Sequence, residues 1–94
     1  MTILHIEHTV RDFDAWKATF DSDPADRKGS GVRRYRIVRA ADNPNHVMID
    51  LELESSAHAE KMLASLEKIW PPIVGTVIDD PTGRIFEVAE EQDV

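Results

Sequence analysis

The chain contains no cysteine, so a disulfide framework and thiolate chemistry are both excluded, and a reducing cytoplasm is the expected location. Cations are in short supply, with 11 Lys and Arg against 18 Asp and Glu and a formal net charge of −7. Nucleic-acid binding rests on neutralising phosphates with Lys and Arg, so this balance argues against such a partner. An anionic membrane surface is disfavoured on the same ground. No apolar run approaches the roughly 20 residues of a membrane span. The opening MTILHIEHTV lacks a basic segment followed by a continuous apolar stretch, so no signal peptide is expected. Glycine is sparse too, and Gly29-Ser30-Gly31 precedes a strand-like run rather than a helix, which excludes a phosphate loop there. No HxH or HExxH spacing exists, so no metal site is expected.

What is present is alternation. Residues 32–54, VRRYRIVRAADNPNHVMIDLELE, read as a β-hairpin with turn-forming residues at 41–45. A turn near Asn43 puts Tyr35 and Ile37 on one face with Ile49 and Leu51. The opposite face then sets Arg34 and Arg36 across from Asp50 and Glu52, as opposite-charge cross-strand pairs. Residues 2–9 alternate in the same way, with Leu4, Ile6, His8 and Val10 sharing one parity.

Asp12 offers an N-cap to a short helix carrying Phe13, Trp16 and Phe20 at spacings of three and four. That helix is expected to end before Pro24, and residues 24–31 form a polar loop. Ser55 or Ser56 caps a second helix, in which Ala59, Met62, Leu63, Leu66, Ile69 and Trp70 recur at helical spacing until Pro71-Pro72. Residues 73–78 are expected to be a short or bulged strand, residues 80–83 a turn and residues 84–89 a last strand. The acidic residues 90–94 form a frayed tail. The order β-α-β-β-α-β predicts one ferredoxin-like α+β domain over residues 1–94, with an antiparallel sheet and both helices on one face. In so small a domain the charged face is either solvated or the polar interface of a homodimer, meeting through Arg34, Arg36, Asp50 and Glu52.

Chemistry is carried by few residues. His8 has the parity of the helix-facing Leu4 and Ile6, where an apolar residue is the rule. A neutral imidazole there could act as general base or hydrogen-bond a ligand oxygen. The plainer alternative is a histidine bonded to backbone at the mouth of the core. Tyr35 shares the helix-facing parity and would present its hydroxyl to the same space. Trp16, Phe20 and Trp70 would wall that space for a planar ligand, or simply be core.

The run His8-x-Val10-x-Asp12-Phe13-Asp14-x-Trp16-Lys17, then Tyr35-Arg36-Ile37, then Asp42-x-Pro44-Asn45 and a Ser/Ala/Glu-rich helix resembles the antibiotic-biosynthesis-monooxygenase-like group. That group belongs to the dimeric α/β-barrel superfamily. The resemblance covers the chain to about Trp70 and is closest to the small stand-alone members. It implies a homodimer whose sheets pack face to face, with a ligand cavity between sheet and helices in each subunit. Its members include cofactor-independent monooxygenases, haem-degrading enzymes, cyclases and isomerases. The haem-degrading members use an Asn on the first strand, a Trp on the second helix and a His after it. Here the first strand has no Asn and no His follows Trp70. The cofactor-free monooxygenases use an Asn, a Trp and a Tyr around the second helix. Trp70 matches the Trp, but neither Tyr nor Asn occurs from Leu51 onward. The resulting expectation is a small enzyme without cofactor acting on a hydrophobic, aromatic or polyketide-like ligand. His8 would be its acid/base group, and Trp16, Phe20, Tyr35 and Trp70 would bind substrate. The alternative is a non-catalytic ligand-binding or accessory homodimer.

Overall fold

Strict alternation of buried and half-buried residues over Thr2–Val10 makes β1 the strand from which the layers are built. A computed structural model describes residues 1–94. After β1 come α1 (Phe13–Asp21), β2 (Val32–Ala40), β3 (Asn43–Leu53), α2 (Ser56–Ile69) and β4 (Ile78–Glu87). The strands form one sheet in the order β2-β3-β1-β4, every neighbouring pair antiparallel. Both helices lie on one face, which is the expected ferredoxin-like fold. No helix is long and apolar enough to cross a membrane.

The helix boundaries have local causes. The Asp12 carboxylate accepts from the backbone N–H groups of Asp14 and Ala15 at 3.0 and 3.3 Å, satisfying donors that the first turn of α1 leaves free. The Ser55 hydroxyl does the same for His58 N–H at 3.2 Å at the start of α2. Between sheet and helices lies the core, including Leu4, Ile6, Ile49, Leu53, Met62 and Ile78. Fully burying each such side chain contributes about 1.5–3 kcal/mol. α2 packs against β1, β3 and β4. α1 is held differently. Every backbone hydrogen bond of residues 13–31 stays within 12–32, so side-chain packing alone fastens this segment to the sheet.

The hairpin register is the expected one: Tyr35 opposes Leu51, Ile37 opposes Ile49, Arg34 opposes Glu52 and Arg36 opposes Asp50. Its turn is tighter than residues 41–45, because Ala40 already pairs with Asn43 and residues 44–46 bulge within β3. The C-terminal third departs further from expectation. Residues 73–77 are not a strand: Trp70 and Ile73 carbonyls accept from Val74, Thr76 and Val77 in helical-type turns, with only an isolated bridge from Val74 to Ile78. Residues 80–83 are not a turn either. They lie inside β4, where Thr82 pairs with Glu7 and Gly83 with Ile6. The turn chemistry of Asp80-Pro81 is used instead for a bulge between the Glu7 and Thr9 pairings, with Asp80 in the left-handed region at φ 53°. No regular element follows Glu87.

Candidate functional site

A cavity of about 70 Å³ lies between the sheet and the two helices. Its floor comes from alternate residues of the central strands, Ile6 and His8 on β1 with Ile49 and Leu51 on β3. α2 and its C-terminal end supply Met62, Leu66 and Trp70, and α1 supplies Trp16, Thr19 and Phe20. The period of 2 in the strands and of 3.6 in the helices brings these residues together. Four of the five expected site residues (His8, Trp16, Phe20 and Trp70) therefore border one space.

His8 is 4% exposed. Its ring meets the Trp16 indole edge-on, centroids 5.3 Å apart, and Trp16 in turn contacts Phe13 and Phe20. Nδ1 lies 3.3 Å from the Thr9 carbonyl oxygen. A carbonyl can only accept, so in the neutral ring the proton sits on Nδ1 and Nε2 keeps its lone pair. Nε2 has no protein partner. Since no sealed-off buried nitrogen or oxygen lacks one, it is accessible, on a residue that borders the cavity. Burial pushes the His8 pKa below its ordinary value; the Thr9 contact opposes this weakly and the nearby His46 adds to it. The expected depression follows, with Glu7 on the other face as parity requires. His8 thus has one nitrogen against backbone, while the other makes no hydrogen bond to protein.

Tyr35 does not join the site. It faces the helices as its parity predicts, its ring 5.1 Å from that of Phe20, but it is 42% exposed and does not border the cavity. The reason is topological. β2 is an edge strand, and no β2 residue lines a cavity centred on β1 and β3.

Arg27 was not legible in the sequence. It comes from the irregular loop between α1 and β2, where no periodicity assigns a face. It borders the cavity with its guanidinium 4.0 Å from the Phe20 ring centroid and 5.0 Å from that of Tyr35.

The opposite face of the sheet carries a connected set of charges. His46 Nε2 donates to Glu7 at 2.7 Å, His5 Nε2 donates to Glu7 at 3.2 Å, and His5 Nδ1 donates to Asp50 at 2.6 Å. Both His5 nitrogens face carboxylates, an arrangement that favours the protonated ring. Burial alone would lower its pKa, but the bonds to Asp50 and Glu7 outweigh burial and raise it. The hydrogen bonds from His46 and then His5 lower the Glu7 pKa in return. Arg36 reaches Asp50 at 3.5 Å, and Arg34 forms a bidentate pair with Glu52. The face is not purely polar: Val38 and Phe86 are exposed on it beside Ile3 and Met48. No group of three or more His, Cys, Asp or Glu is arranged to hold a metal ion.

No family model matches the chain, and no curated protein matches it in sequence. Solved structures do match, and their fold is that of the antibiotic biosynthesis monooxygenases. SnoaB, a cofactor-independent oxygenase from Streptomyces nogalater, superimposes with a TM-score of 0.74 at 13% identity, over 96% of this chain and 94% of that one. A mutant of MhuD with two manganese protoporphyrin IX bound per active site gives 0.72 at 11% identity, over 100% of both chains. A dimeric ferredoxin-like protein from an uncultured marine organism gives 0.63 at 9% identity, also over 100% of both. Identities this low establish a shared fold and nothing finer.

Proposed function

We propose that this protein is a small-molecule enzyme of the cofactor-independent oxygenase, cyclase or isomerase kind, acting on a hydrophobic aromatic or polyketide-like ligand. The observation that carries this reading is the His8 imidazole, held neutral by burial with Nε2 bare, in an apolar cavity walled by Trp16, Phe20 and Trp70. Reactions of these kinds can begin by removing a proton from a carbon that a carbonyl makes acidic, and that step needs a base. The buried imidazole is unprotonated at neutral pH and so free to accept such a proton, although its lowered basicity limits it to carbon acids that the carbonyl makes sufficiently acidic. The likeness to SnoaB supports it at the level of fold.

Cavity size favours a second reading. About 70 Å³ accommodates a few water molecules, whereas ligand pockets span roughly 300–1,000 Å³. Substrate must therefore displace the rim formed by α1 and its following loop, the segment without backbone bonds to the sheet. If the rim does not yield, the chain is a non-catalytic accessory homodimer. In either case we propose that two copies meet through the sheet face carrying Arg34, Arg36, Asp50 and Glu52. Its charges are self-complementary and its exposed Phe86 and Val38 gain cover.

2-Tetralone, a bicyclic aromatic ketone, separates the two readings. In D2O the enzyme reading expects the protein to accelerate exchange of its C1 hydrogens, followed by NMR, and His8→Ala to abolish the acceleration. Exchange at the buffer rate with wild-type protein would favour the non-catalytic reading, as a ligand-binding dimer where 2-tetralone binds saturably and as an accessory dimer where it does not bind.

A further inference from the structure

Arg27 is the only charged residue bordering the cavity, whose other polar residues are His8 and Thr19. Its side chain is 18% exposed. The guanidinium is fixed from several sides. It stacks on Phe20 and Tyr35, Nη1 donates to the Phe20 carbonyl at 2.7 Å, and Nε faces the Asp23 carboxylate at 3.5 Å. Nη2 is left without a protein partner, and it is not sealed from solvent or cavity. Asp23 is twice as exposed as Arg27 and does not border the cavity, so the charge on the cavity side is answered only in part. A half-buried cation with a spare donor gains most from an anionic oxygen, and a guanidinium tied to Phe20 by stacking and through its carbonyl travels with α1 when the rim opens.

We propose that Arg27 makes this cavity selective for planar apolar ligands bearing an anionic oxygen, a carboxylate or an enolate, rather than for their neutral counterparts. The inference rests on the reading of the cavity as a ligand site and adds the charge class of the ligand. It also accounts for a cation placed at the cavity of a chain whose overall charge of −7 would repel such ligands.

Calorimetric titration at pH 8 with 2-naphthoate and with 2-naphthamide, a matched pair differing in charge, tests it. Wild-type protein should bind the carboxylate about tenfold more tightly than the amide. Arg27→Gln should remove that ratio with little change for the amide, and Arg27→Lys should restore most of it. The ratio is the informative readout, because a purely structural role for Arg27 weakens both ligands alike. Equal affinities in the wild type, or parallel losses in Arg27→Gln, overturn the charge selection while leaving the ligand site standing. Failure of both compounds to bind overturns the ligand site and the selection with it.

Discussion

The His8 imidazole stands edge-on to the Trp16 indole, ring centroids 5.3 Å apart and planes 67° from parallel. This contact couples the candidate base on the sheet to the helix that closes the cavity. It joins a row of rings, Trp16 to Phe20 to Tyr35, that fastens α1 to the sheet where no backbone bond does. The chemistry of the site and the attachment of its cover therefore depend on the same side chains.

The two perturbed histidines make opposite contributions to stability against pH. His8 has a lowered pKa in the fold, so below about pH 6.5 the unfolded chain takes up a proton that the folded chain refuses. Its contribution falls as the pH drops from about 6.5 to the folded value, then levels off. His5, faced by Asp50 and Glu7 and paired across from Arg84, has a raised pKa. Its contribution is complete below about pH 6.5 and is lost as the pH rises through the raised value. Urea unfolding across pH 5–8 should therefore show His8→Gln losing part of the acid-side decline and His5→Gln losing part of the alkaline-side decline. A His8→Gln profile parallel to wild type would mean that the ring is not held neutral.

His8→Ala should enlarge the cavity and remove its polar anchor. Quenching of Trp16 and Trp70 fluorescence should then report weaker binding of 2-naphthol, by about 1–2 kcal/mol, with naphthalene little changed. Equal losses for both compounds, together with a lower melting temperature, would assign His8 to packing alone.

Arg36→Ala should weaken the dimer. If Asp50 is enclosed at the interface, it loses one partner and is left against His5 alone, and a charge stripped of a buried partner costs more than removing the pair. Sedimentation equilibrium should show a raised dissociation constant for Arg36→Ala and a smaller rise for the double change Arg36→Ala with Asp50→Asn. A wild-type monomer at micromolar concentration would reject the interface.

Haem should not bind stoichiometrically, even though the fold is shared with MhuD. No Asn occupies β1, no His follows Trp70, and about 70 Å³ is far below the volume of a porphyrin. Titration with haem should develop no Soret band characteristic of a ligated site. A tight one-to-one complex would contradict both arguments.

Alternation alone made β1 and the hairpin legible, down to the pairing of Arg34 with Glu52 and Arg36 with Asp50, because a period of 2 commits each side chain to a face. The parity of His8 likewise announced its burial and lowered pKa, and the caps Asp12 and Ser55 announced both helices. Parity says which face a residue occupies but not how far along the sheet it stands. Parity alone therefore points Tyr35 towards the cavity, whereas strand order puts it at the edge of the sheet. Asp80-Pro81 has the composition of a turn, yet pairing with β1 keeps residues 80–83 within β4 and turns that local preference into a bulge. Arg27 lies in a loop without period, so nothing in its neighbourhood of sequence could place it. Only the return of that loop across α1 brings its charge to the cavity, where Phe20 and Tyr35 hold it.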